Sequence, residues 1–175
     1  MEAIETPIQG LVILERKIQY DNRGSVTRLY GNEELNKVGY PTEIASLIYS
    51  TSLKSGTLRG IHFQRKPYAE TKIITCTNGS IWDVGIDLRD DSPTKFHWFG
   101  IELTPTNGLS FLIPKGFGHG FITLQPNSTA LYAISTPHSP EHESGVRFDD
   151  PLIGIKWPHE ITTLSERDSK LPFLH

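Results

Sequence analysis

The feature that most restricts how this chain can fold is its punctuation. Fifteen glycines and twelve prolines are spread through 175 residues, and between them lie short runs rich in Ile, Val, Leu, Phe and Thr. That rhythm belongs to many strands joined by turns. The runs predict strands over 11–19, 25–30, 43–52, 57–64, 71–77, 80–89, 96–104, 109–114, 119–125 and 129–136. Turn sequences such as "DNRG", "TNGS" and "RDDSPT" separate them, and only 32–39 and 161–168 read as short helices. In "SIWDVGIDLR", Ile81, Asp83, Gly85 and Asp87 fall on one face, with Trp82, Val84, Ile86 and Leu88 on the other. That polar face lines a cavity if the strands close into a barrel, and meets water in an ordinary sandwich. With no repeat, low-complexity segment or linker, residues 1–175 read as one all-β domain, a sandwich, jelly roll or closed barrel.

Bulk properties remove several function classes. A formal charge of −3 and the absence of a basic arm give no footprint for nucleic acid. No apolar run approaches the roughly 20 residues that cross a bilayer. The opening "MEAIETPIQG" lacks the basic and apolar regions of a signal peptide. The expectation is a cytoplasmic protein with neither nucleic-acid nor membrane partners. The single cysteine, Cys76, has no intrachain partner for a disulfide, and its apolar run "KIITCTNG" marks it as a buried, inert thiol.

Two separated segments share a spacing. In "GTLRGIHFQ" five residues lie between Gly56 and His62, and five more follow Gly108 before "PKGFGH", which ends at His119. These resemble the two signature segments of the cupin superfamily, whose fold is a jelly roll, or double-stranded β-helix barrel. Metal-binding cupins continue the first segment with a second histidine and then a glutamate. Here Gln64 takes the histidine position, and the glutamate region reads "AETK", ending in Lys72. A tightly held transition metal needs three or four N, O or S ligands, and an ammonium in the same cavity opposes a cation. No metal and no other cofactor is expected.

An interior presenting His62, Lys72, Asp83, His119 and Tyr132 suits proton chemistry. A neutral imidazole is matched to take a proton from carbon beside a carbonyl. An ammonium such as Lys72 would hold the charge of the resulting enolate. A tyrosine on the opposite side would return a proton to the other face and invert the carbon. Each residue also has a plain structural reading: His62 or His119 as hydrogen-bonded interior histidines, Lys72 on a solvated strand edge, Tyr132 as core packing. Arg59 is either a surface residue or a fork for phosphate.

Over nearly all of residues 5 to 168 the chain resembles the dTDP-4-dehydrorhamnose 3,5-epimerase family. The resemblance rests on "DNRG" (21–24), "GTLRGIHFQ" (56–64), Lys72, "DVGIDLRDDSPT" (83–94), "IPKGFGHGF" (113–121), "LY" (131–132), "DDPLIGIKWP" (149–158) and "LSERD" (164–168). It implies a cupin jelly roll with a few short helices, a homodimer that exchanges N-terminal strands, and a nucleotide-linked 4-keto-6-deoxyhexose as substrate. By position it implies His62 as general base, Asp168 as its paired carboxylate, Lys72 as the enolate-stabilising lysine and Tyr132 as general acid. Arg23, Arg59, Gln64 and His119 fall at or beside substrate contacts, and His138 stands where the family has a tyrosine at the nucleotide base. The chain departs from the family's pattern at Leu47 and Tyr49, at Ser25 and Arg28, and at Pro137 and His138. The implied activity is epimerisation of carbon 3, carbon 5 or both. Alternatives are a single-centre epimerase or 3,4-ketoisomerase, a non-catalytic sugar-nucleotide-binding cupin, and a metal-dependent cupin enzyme.

Overall fold

The computed structural model describes residues 1–40 and 43–174, and in it the strand-forming runs pair into two main sheets. In chain order the elements are β1 (Glu2–Glu5), β2 (Val12–Glu15), β3 (Gln19–Asp21), β4 (Gly24–Val26), α1 (Asn32–Lys37), β5 (Ser46–Ser52), β6 (Leu58–Gln64) and β7 (Lys72–Asn78). There follow β8 (Ile81–Asp87), β9 (Trp98–Leu103), β10 (Leu109–Ile113), β11 (Phe117–Thr123), β12 (Ser128–Ile134), β13 (Glu143–Gly145) and α2 (Glu166–Ser169). One sheet runs β1-β2-β10-β7-β12-β5 and the other β13-β6-β11-β8-β9, while β3 and β4 form a separate hairpin across the "DNRG" turn. The all-β cupin jelly roll expected from the sequence is the fold observed.

Side-chain alternation decides what each face meets. Ile74 and Cys76 of β7, Ile81 of β8, Phe111 and Ile113 of β10, Phe117 and Phe121 of β11 and Ala130 of β12 form one buried cluster between the sheets. The outer face of the six-stranded sheet carries Val12, Leu14, Ile73 and Leu112, covered by Leu35 of α1. The outer face of the other sheet carries Ile61, Val84 and Ile86, packed against Val146, Ile153 and Trp157 of the C-terminal segment. Each sheet is thus covered on both faces, which is why several strands read as nearly unbroken apolar runs. Cys76 lies inside the inter-sheet cluster, and burial pushes its thiol up to about 11, in keeping with an inert role.

Some boundaries differ from expectation. The run over 11–19 divides into β2 and β3, because Arg16 turns inward and its guanidinium donates to Ser110 Oγ and to the Leu109 carbonyl. The helix expected over 161–168 starts only after Ser165, whose hydroxyl caps it by accepting from the Asp168 N–H. The preceding residues are extended instead, since Thr162 and Thr163 bond the backbone of Gly56 and Leu58. The hydrophilic run of β1 gave no strand signal, but its backbone completes the edge beside β2.

One glycine fixes how closely two strands approach. Gly60 of β6 has φ +127°, and a Cβ there would lie 2.6 Å from Gly120 Cα and 2.8 Å from the His119 carbonyl oxygen of β11. The register between these strands shifts at this point, between His119 and Phe121. Gly60→Ala would meet both a disfavoured φ and a backbone clash, so denaturant titration should show a loss of about 2 kcal/mol or more. A variant within about 0.5 kcal/mol of the parent, the ordinary range for a neutral surface change, would contradict the close approach.

Candidate active site

The inter-sheet space is apolar at one end and opens at the other into a cavity of about 660 Å³. The same alternation that buries Ile74 and Cys76 turns Lys72 into this opening, and the alternation of β12 does the same for Tyr132. From the facing sheet β6 contributes His62 and β11 contributes His119. These two histidines, one from each cupin-like segment, are direct cross-strand partners.

Each imidazole is taken by its own carboxylate. His62 Nε2 lies 2.8 Å from Asp168 Oδ1, and the Gly60 N–H donates to Asp168 Oδ2 at 3.2 Å. Burial pushes the Asp168 carboxyl up, but the hydrogen bonds from His62, Gly60 and Ser165 outweigh it, so the group titrates below the usual carboxylate range. An ionised Asp168 fixes the ring's orientation. His119 Nε2 lies 2.8 Å from Asp83 Oδ1 in a fully enclosed setting. There burial dominates, pushing the Asp83 carboxyl up and the His119 imidazole down. Among the described residues nothing hydrogen-bonds Asp83 Oδ2, a setting that disfavours a full charge. The two dyads therefore differ in electrostatic character: the carboxyl beside the half-exposed His62 is held below its usual range, and the enclosed one beside His119 is pushed above it. Among the described residues no three His, Cys, Asp or Glu side chains cluster as a metal site requires.

Tyr132 is held by the rings of His119 and Phe121, with centroids 5.7 and 6.3 Å away. Burial, reinforced by Asp83, pushes its hydroxyl strongly up, so it stays a protonated phenol near neutral pH. Lys72 Nζ contacts Glu70 Oε1 at 3.0 Å and donates to the His62 carbonyl at 3.3 Å. Tyr132 stands on the sheet opposite His62, so the two reach the cavity from different walls.

The expected recognition residues divide into three groups. Arg59 and His138 line the cavity. The Arg59 guanidinium donates to Ser52 Oγ and to the Thr51 carbonyl, and among the described residues it has no carboxylate partner. Gln64 also borders the cavity, yet protein groups occupy both ends of its amide: Nε2 donates to Tyr68, Glu70 and Pro137 oxygens, and Oε1 accepts from the Ser139 N–H. Arg23 is outside, on the β3–β4 hairpin, its side chain 85% exposed and paired with Asp21. Ser25 sits on the same hairpin, and Arg28 is paired with Glu34.

Leu47 and Tyr49, where the chain departs from the family's pattern, point away from the cavity and are 65% and 67% exposed. Tyr132 is the cross-strand partner of Ile48, and directly opposed residues share a face, so Ser46, Ile48 and Ser50 line the cavity instead. Sequence reading also missed an ion pair at the rim, Arg167 Nη2 to Glu143 Oε1 at 2.6 Å. Arg167 could have been noticed beside Asp168 in "LSERD"; the short strand holding Glu143 carries no comparable signal.

With this geometry in hand, comparison with known proteins is unambiguous. A family model described as dTDP-4-dehydrorhamnose 3,5-epimerase matches residues 5–175. A dTDP-4-dehydrorhamnose 3,5-epimerase of Sinorhizobium fredii is 38% identical over 179 residues, covering 99% of this chain and 92% of that protein. The crystal structure of the Bacillus anthracis enzyme of that name, with TDP and PPi bound, superimposes with a TM-score of 0.95 at 40% identity, covering 98% of both chains. An epimerase from Legionella pneumophila in complex with dTDP-4-keto-L-rhamnose gives 0.92 at 33% identity, over 98% of this chain and 91% of that one. The chain belongs to the dTDP-4-dehydrorhamnose 3,5-epimerase family of isomerases.

Proposed function

We propose that the protein inverts carbons 3 and 5 of a dTDP-linked 4-keto-6-deoxyhexose, with His62 as base, Lys72 as the cation at the enolate oxygen and Tyr132 as acid. The observation that carries this reading is the grouping in one cavity of an aspartate-paired imidazole, an ammonium and a protonated phenol, with base and phenol on opposing sheets. Both target carbons flank the ketone at carbon 4, so each carries a hydrogen that the carbonyl acidifies. His62 removes that hydrogen, and the charge moves to the ketone oxygen, where Lys72 opposes it. Asp168 stabilises the imidazolium so formed. Tyr132 then protonates the carbon from the other wall, and inversion follows because removal and return use different faces. Arg59, which has no carboxylate of its own among the described residues, is the group suited to the pyrophosphate.

The reading includes a homodimer with exchanged N-terminal strands. Arg23 lies on an exposed hairpin away from its own cavity, where it could serve a second copy. The edge strand β5 carries exposed Leu47 and Tyr49, an apolar surface that such a copy would cover.

Turnover of dTDP-4-keto-6-deoxyglucose in heavy water, read by NMR, should place deuterium at carbons 3 and 5; label at neither would refute the activity. His62→Ala should lose more than about 100-fold in turnover, the scale of general base catalysis, while still binding dTDP. Near-normal exchange by that variant would remove His62 as the base. Tyr132→Phe should retain exchange at the abstracted position but slow inversion; equal loss of both would contradict delivery from the second wall. If Arg23 acts across the dimer, mixing inactive His62→Ala chains with Arg23→Ala chains should restore roughly a quarter of parental activity, since half the dimers are mixed and each holds one complete site. Activity equal to the mean of the separate variants would exclude the exchange.

A further inference from the structure

We propose that Glu70 is a positioning residue that holds the Lys72 ammonium aimed into the cavity, and that Gln64 braces it against the loop carrying His138. The proposal rests on the reading of Lys72 as the enolate-side cation and adds to it a second, hidden layer. Lys72 and Glu70 side chains are only 9% and 10% exposed, and their charged atoms are 3.0 Å apart. An ammonium so deeply buried loses much of its hydration, which a nearby carboxylate offsets and a neutral wall does not.

The geometry goes beyond neutralisation. An ammonium has three N–H donors. One meets Glu70 Oε1 and another the His62 carbonyl at 3.3 Å, which leaves the third for a ligand in the cavity that Lys72 lines. Glu70 is itself held, since its second oxygen accepts from Gln64 Nε2 at 3.0 Å. Gln64 cannot turn its amide over: Oε1 accepts from the Ser139 N–H at 2.6 Å, and a reversed amide would set two donors against each other. Its Nε2 also donates to the carbonyls of Tyr68 at 3.0 Å and Pro137 at 3.3 Å. An unbroken chain of contacts therefore runs from residues 137–139, through Gln64 and Glu70, to the Lys72 ammonium.

Two opposing effects of Glu70 must be weighed. Its negative charge weakens the field that Lys72 presents to an enolate, but its contact also fixes where the ammonium points. Because the pair is withdrawn from water, the second effect is the larger, and removing the carboxylate should slow the reaction.

The test compares the parent with Glu70→Gln and Glu70→Asp by steady-state kinetics on dTDP-4-keto-6-deoxyglucose and by acylation of Lys72 with acetic anhydride, mapped by mass spectrometry. For Glu70→Gln, kcat should fall about 10-fold or more with KM within about 2-fold, the pattern of a contact felt mainly in the transition state. Lys72 acylation should accelerate about 5-fold or more, since Nζ released from its fixed contact with Glu70 is freer to meet the reagent in the cavity. Glu70→Asp, which keeps the charge on a shorter arm, should recover part of both effects. Glu70→Gln with unchanged or raised kcat, or with unchanged acylation, would overturn the proposal, as would an aspartate variant no better than the glutamine one. Acylation needs no turnover. If the parent fails to act on the sugar nucleotide, the proposed function falls while the Glu70–Lys72 relation is still judged by the labelling rates.

Discussion

The contact between His62 and Asp168 joins the fold to the chemistry. It spans 106 residues and pins the C-terminal segment, through the short helix capped by Ser165, onto β6 beside its closest approach to β11. Asp168 accepts both from the imidazole and from the Gly60 N–H, so one carboxylate satisfies a backbone donor at a register shift and orients a side chain. The conformation that lets Gly60 approach β11 and the orientation of the candidate base are therefore parts of one arrangement. Neighbouring backbone bonds, from Leu58 to Thr163 and from Thr162 to Gly56, carry the same attachment along the strand.

The two histidines show how a cupin scaffold can hold paired imidazoles at its opening. They are cross-strand neighbours, as a metal site built from both motif segments would have them. Each is instead paired with an aspartate, and the position of a second motif histidine is held by Gln64, whose amide is spent on Glu70 and the 137–139 loop. Lys72 enters the same space with Glu70 as its counter-ion. The result is a cavity whose charged groups are balanced pairwise, with Arg59 as a cation among the described residues that has no such balance.

Much of this was legible in the sequence, and the limits have physical causes. Strand runs and turn signals located most of the sheets, and the alternation within "SIWDVGIDLR" correctly grouped Asp83 with the inward-facing positions. His62 and Tyr132 lie inside predicted strands and Lys72 and His119 at the start of theirs, where period-2 alternation leaves little freedom about facing. The sequence marked Leu47 and Tyr49 as departures from the family's pattern without fixing which way they face; that facing is set by the pairing of β5 with β12, where one residue of slip exchanges inside for outside. The role of Asp168 came only from resemblance: no local pattern links a C-terminal helix to a strand so far upstream. Gln64 was singled out as a substrate contact, but sequence has no means of showing that neighbours already occupy its amide.

The placement of the site follows from how a sandwich must close. The inter-sheet space of this protein is one continuous layer, filled with Phe111, Phe117 and Phe121 in its apolar part and giving way to Lys72, His62 and Tyr132 toward the opening. Moving along β7, a single residue, Ile73, separates the fully buried Ile74 from Lys72 on the same face. The rigid packing of the first region thus sets the direction of the polar groups in the second. The rim has no comparable support: Arg167 and His138 come from segments outside the two sheets, and β5 is an edge strand. Changes at Ser46, Ile48 or His138 can therefore alter what the cavity accepts at little cost to the fold. A change at Lys72, Tyr132 or Asp83 disturbs the inter-sheet layer itself, which is the physical reason why the rim of this scaffold can vary more freely than the polar groups rooted between its sheets.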